Sequence, residues 1–265
     1  MLTDLVDPNN VAHSQNIEAF LTSNFTNVTE IRHANYANFG AAASQDALNG
    51  TGAHAGNGAA DVVIIGRSLS SGHYDAGDAD GYNALTIPVI SLTSYTVRNV
   101  GDRMGWHGSS TTTGQLIAGA ETTVTAAGAG ILGLPAGSHD LLQAVAPIAD
   151  NFNGLGAGTA TYGGGQILAT VGPDTLAAYW PTGSAPGDVG SAGVATFPGP
   201  RLLFNTDNDP NTGNNGLNDL ANMTPAGLAA LRSAIDFATP LTAIPEPSVA
   251  MLGLAGLGLL ARRRR

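Results

Sequence analysis

The sequence predicts an α/β domain built on a mainly parallel sheet, and three observations carry that prediction. Asp61-Val62-Val63-Ile64-Ile65-Gly66 is an unbroken apolar, β-branched run of the kind needed by a strand buried on both faces. Ile87-Pro88-Val89-Ile90-Ser91-Leu92 repeats that character after an interval that suits a crossover connection. Strand-like and helix-like segments then alternate along the chain as far as a well-marked last helix.

In chain order, residues 11–23 predict a helix, with Val11, Ile17, Phe20 and Leu21 on an irregular apolar face. Residues 27–32 predict a short strand through Val28 and Ile31, and the glycine- and alanine-rich stretch 34–60 reads as a loop. The strand at 61–66 is followed by a short helix at 75–85 and the second buried strand at 87–92. Residues 122–126 and 131–134 read as weaker strands. Residues 139–149 read as a helix with Leu141, Leu142, Val145 and Ile148 on one face. Further strands are expected at 166–171, 176–180 and 201–204. Thr224 can cap the last helix, Pro225 suits its first position, and Leu228, Leu231, Ile235 and Phe237 follow. Residues 1–240 form the domain and 241–265 a tail.

The composition excludes several functions. With 265 residues the chain can bury a sizeable core. It has no cysteine, hence no disulfide, thiolate metal site or cysteine nucleophile. It also has no lysine; residues 1–261 set six arginines against twenty acids, a net charge of −14. Such a body does not bind nucleic acid by neutralising phosphates, and divalent cations or basic partners are its natural counterparts.

The tail has a distinct order. Pro245-Glu246-Pro247 leads into the uncharged run 248–261, and Arg262, Arg263, Arg264 and Arg265 close the chain. As a helix that run reaches roughly 21 Å, short of a hydrocarbon core of about 30 Å. Arginine side chains can snorkel across part of the gap and favour a cytoplasmic location for their flank. The order closely resembles a PEP-CTERM sorting signal. The resemblance implies a bacterial protein that is exported, held transiently in the inner membrane through 248–261, and passed by an exosortase to the cell envelope or beyond. An exported chain is expected to open on a basic segment and an apolar one. Met1-Leu2-Thr3-Asp4-Leu5-Val6-Asp7-Pro8 has neither, so a further N-terminal piece is expected.

The body also resembles a family. The residues that carry this are 61–68, 83–90, 201–204 and 228–238. Their order is similar to the class I glutamine-amidotransferase-like or ThuA-like fold, a flavodoxin-related three-layer sandwich, over about 11–238. The resemblance implies a first strand ahead of the first helix, which the reading does not find at the N-terminus. Amidotransferase chemistry needs a cysteine thiolate and is excluded.

Ligands of parallel sheets bind beyond the carboxyl ends of the strands. Arg67, Ser70 and His73 follow the first buried strand, and Tyr95 and Arg98 follow the second. Such a group suits a carboxylate, a phosphate or a sugar; pairing of the arginines with acids is the competing reading. No Gly-x-Ser-x-Gly elbow occurs. Asp75, Asp78 and Asp80 precede Gly81, and Asp207 and Asp209 stand in a second Asn/Asp-rich loop. Both suit calcium weakly, since neither completes a twelve-residue loop ending in glutamate; no other cofactor is expected. Trp106, His107 and Trp180 suit either a sugar-binding surface or the core. The expected function is a non-catalytic envelope or matrix protein. The alternative is an extracellular hydrolase or carbohydrate-binding protein in which Arg67, His73, Tyr95 or Arg98 shares a pocket with an acid such as Asp207.

Overall fold

A computed structural model describes residues 2–4, 17–25, 28, 31–33, 39–56, 58–66, 74, 76–109, 115–117, 121–143, 151–156, 161–206, 220 and 223–239, some of them as backbone alone. The helices are α1 (17–24), α2 (Ala42–Asn49), α3 (Ala76–Asn83), α4 (Ser94–Val97), α5 (Ala126–Leu132), α6 (Val189–Ala192) and α7 (Pro225–Ala238). Strands β1 (Leu2–Asp4), β2 (Ile31–His33), β3 (Val63–Ile65) and β4 (Val89–Ser91) come early in the chain. Strands β5 (Gln115–Ile117), β6 (Thr122–Val124), β7 (Gly137–His139), β8 (Asn151–Asn153) and β9 (Leu155–Gly156) occupy its middle. Strands β10 (Gln166–Val171), β11 (Asp174–Trp180) and β12 (Arg201–Phe204) complete the set.

One sheet has the order β2-β1-β3-β4-β12-β11-β10-β6-β7, with β9 also paired to β11. From β2 to β12 every pairing is parallel; from β12 to β7 every pairing is antiparallel. The expected parallel sheet is therefore half of the observed one. Strands β5 and β8 pair separately.

The central strands read as continuous apolar runs because each serves two cores. Ile64, Ile90, Leu202 and Phe204 face a core closed by α1, α5 and α7. Their neighbours Val63, Ile65, Val89 and Leu203 face a second core containing Tyr82 of α3, Val97 of α4, Trp106 and Trp180. Helices thus cover both faces of the sheet.

Several expectations need correction. A strand does open the chain: β1 lies between β2 and β3, and its three residues are too few to show periodicity. The expected loop at 34–60 contains α2, which alanine favours and Gly50 ends in the left-handed region at φ 63°. Residues 131–134 are not a strand. Thr125 caps α5 by accepting the Gly128 N–H, and Gly133 ends it at φ 67°. The helix expected at 139–149 is absent from its described part. His139 ends β7 and Leu142 bridges to Met223, while 144–150 lie outside the described residues. In α7 the cap and Pro225 stand as expected, but Phe237 is 45 % exposed and meets Tyr179 edge-on. Residues 240–265, which include the whole expected tail helix and sorting motif, lie outside the described residues. Among the described residues no helix is long and apolar enough to cross a membrane.

Candidate functional site

The carboxyl ends of β4 and β12 bring together Ser91, Thr93, Ser94, Thr96, Asn205 and Thr206, all buried. Polar side chains at such depth are tolerated only when hydrogen-bonded. The Ser91 hydroxyl donates to the Thr93 carbonyl at 2.9 Å and lies 2.7 Å from Thr96 Oγ1. Thr93 Oγ1 accepts the Tyr95 N–H at 3.2 Å and so caps α4. Thr206 donates from Oγ1 and from its main-chain nitrogen to the Leu92 carbonyl, at 3.2 and 3.0 Å. These hydroxyls thus serve the backbone of the turn, a role that competes with nucleophilic use.

Of the five cleft candidates, Tyr95 and Arg98 come together. The Arg98 guanidinium carbon stands 4.7 Å above the Tyr95 ring, and its Nε donates to the Tyr95 carbonyl at 3.4 Å. That geometry is a cation–π contact on a half-buried surface. Arg67, Ser70 and His73 lie outside the described residues, as do Asp75, Asp207 and Asp209. Asp78 Oδ1 accepts the Phe39 N–H at 2.9 Å, and Asp80 is exposed. Among the described residues no three His, Asp or Glu side chains come together as a metal group.

The aromatic residues that suited a sugar surface form core instead. Trp106 and Trp180 are fully buried with ring centroids 5.7 Å apart, and Tyr162 stacks on Trp180, also at 5.7 Å. Trp106 Nε1 donates to Asn83 Oδ1 at 2.7 Å, and Trp180 Nε1 donates to the Tyr162 carbonyl at 2.8 Å. The indole N–H groups therefore face protein partners rather than a ligand. His107 is buried beside them, its Nδ1 accepting the Ser109 N–H at 3.2 Å and its Nε2 lying 2.7 Å from Thr161 Oγ1. Burial lowers its pKa from the ordinary value, against main-chain contacts at Gly156 and Ser109. An imidazole whose Nδ1 accepts and whose Nε2–H donates has no lone pair left with which to take a proton from Thr161.

Two structural charges escaped sequence reasoning. Arg201, the first residue of β12, is fully buried. Its Nη2 donates to the Tyr82, Asn83 and Leu85 carbonyls at 3.2, 2.7 and 2.7 Å, and its Nη1 to those of Ile87 and Pro200 at 3.2 and 2.9 Å. It thus caps the carboxyl end of α3, where a cation is favoured. Burial draws its pKa down to about 9, so it remains charged at neutral pH. The one signal was a lone arginine opening an apolar strand. Asp188 caps α6 by accepting the Gly190 and Ser191 N–H groups and also receives Asn99 Nδ2 at 3.1 Å. Desolvation opposes its ionised form, but these hydrogen bonds outweigh it and lower its pKa. No protein-family model, curated protein or solved structure matches this chain.

Proposed function

We propose that this chain is an exported bacterial envelope or extracellular-matrix protein, sorted by an exosortase through its C-terminal tail. The observation that carries the reading is the order Pro245-Glu246-Pro247, uncharged run 248–261, then Arg262 to Arg265 at the end of the chain. A run this short makes a marginal span, which suits a handle that is later cut. The acidic body, free of cysteine and lysine, is suited to solubility outside the cell.

For the body we propose a flavodoxin-like three-layer sandwich of the amidotransferase-like or ThuA-like kind. The parallel order β2-β1-β3-β4-β12 supports this, being the order 2-1-3-4-5 of flavodoxin-like sheets. Its role in this reading is non-catalytic. The engagement of Ser91, Thr93, Thr96 and Thr206 with backbone, and the fixed hydrogen-bonding of His107, weigh against a hydrolase.

Deleting Arg262 to Arg265 tests the reading. The expected result is loss of normal sorting, with the tail uncut and the body still folded. Unchanged localisation of the deletion variant would refute it.

A further inference from the structure

His107 links two stretches of chain 54 positions apart. Its ring is 2 % exposed. On one side Nδ1 accepts the Ser109 N–H at 3.2 Å; on the other Nε2 lies 2.7 Å from Thr161 Oγ1. Because Nδ1 accepts, the hydrogen sits on Nε2 and is donated toward Thr161. A main-chain bond from Gly108 N to the Thr161 carbonyl, 2.7 Å, runs beside the ring, which meets Tyr162 edge-on at 4.7 Å.

We propose that His107 is an acid-sensitive latch joining the turn at 107–109 to the turn that begins at Thr161. The chemistry follows from one atom. A proton on Nδ1 converts the only acceptor of the ring into a donor that points at the Ser109 N–H, so two donors confront each other. It also places a positive charge in a buried aromatic setting, which is costly without a partner. Main-chain contacts at Gly156 and Ser109 favour the charge but are outweighed by burial, and among the described residues the titratable groups packed around the ring supply no counter-charge. Tyr162 crosses the ring at 73°, and Asp174 acts on the Tyr162 phenol. Asp188, on the segment that hydrogen-bonds to Gly105 and Trp106, is engaged by Asn99, Gly190 and Ser191. On the loop of His107 itself, Arg98 lies over Tyr95, Asp102 is exposed, and Arg103 shares the sign of an imidazolium.

The sign of the effect is fixed by linkage. Burial depresses the pKa of the latched imidazole, whereas an opened one titrates near 6.5. The latch holds fully above that value. As pH falls below it, opening becomes about tenfold easier per pH unit until the latched pKa is reached.

Hydrogen exchange on the full chain between pH 7.5 and 4.5, corrected for intrinsic exchange, reads the opening directly. The expected result is a rise of about tenfold per pH unit below 6.5 at the Gly108 and Ser109 amides. The β10 and β11 amides stay unchanged, and His107→Gln, which keeps a donor and an acceptor but cannot charge, abolishes the rise. A flat response in the unaltered protein, an equal rise in His107→Gln, or a uniform rise over the whole sheet would each overturn the proposal. Should His107→Gln fail to fold, NMR titration of His107 in the unaltered protein decides. Protonation coincident with release of the Ser109 amide supports the latch, and protonation without it refutes the latch.

Discussion

The two halves of the sheet are built by opposite means. In the parallel half, β1, β2, β3 and β4 are three residues each, and their neighbours in the sheet are distant in sequence. In the antiparallel half, β10 and β11 run six and seven residues and are joined by the two-residue turn Gly172-Pro173. Local pairing needs little side-chain bulk, and small residues prevail there. Ala169, Ala177 and Ala178 are fully buried and let helix and aromatic layers approach closely. The parallel half depends instead on groups lent from elsewhere. Arg201, at the joint between the halves, closes the end of α3 for its neighbours. The antiparallel half is the locally connected frame, and the parallel half is assembled from segments distant in sequence; both share the same two cores.

The largest test of that contrast is Arg201→Met. It keeps apolar bulk but removes a charged donor from five carbonyls, of which those of Tyr82 and Pro200 keep main-chain donors, with an expected loss of roughly 3–5 kcal/mol in denaturant unfolding. A loss below about 1 kcal/mol would show that α3 does not rely on the joint. Next comes Gly128→Ala in α5. Alanine is the better helix former by about 1 kcal/mol, yet its Cβ would stand 2.0 Å from the Leu168 carbonyl oxygen of β10. A net loss of about 2 kcal/mol is expected; a gain in stability would deny the close approach that defines the frame.

Alkaline pH compares the halves through two tyrosines. Burial raises the pKa of Tyr82 on α3, with Asp78 adding to it, and raises that of Tyr162 beside β11, with Asp174 adding to it. A raised folded pKa means that the associated stability is complete below about 10, the unfolded value, and is lost as pH climbs above it. Tyr82→Phe and Tyr162→Phe should each flatten the loss between pH 10 and 11.5, and an unflattened curve in both would contradict the assignment. The smallest effect is expected from the caps. Thr224→Ala and Thr93→Ala should each cost about 1 kcal/mol. If the frame argument holds, the first lowers global stability and the second shows mainly in exchange of the α4 amides.

How much was legible in advance depended on whether a segment carried its own signal, not on the half it joined. Ile64, Ile65, Val89 and Ile90 declared buried strands because two cores demand an unbroken apolar run. Thr224 and Pro225 declared the start of α7 through local chemistry. Strand β1 was invisible because its support comes from β2 and β3 rather than from its own three residues. Helices α2 and α5 were hidden in alanine and glycine, and the apolar residues Ile131 and Leu132 that end α5 read instead as the start of a strand. Tyr95 and Arg98 were expected to share a cleft with Arg67, Ser70 and His73; these two meet, and the other three lie outside the described residues. The His107–Thr161 contact and the five carbonyls around Arg201 span long separations, and no local pattern encodes them.

The central functional claim is that the chain is exported and sorted by its tail. Intact mass of the protein from its native host, after separation into cytoplasm, membrane, wall and medium, tests it most directly. The account predicts a species in wall or medium that lacks the residues following Pro245-Glu246-Pro247. A chain still ending at Arg265 and confined to the cytoplasm would contradict it.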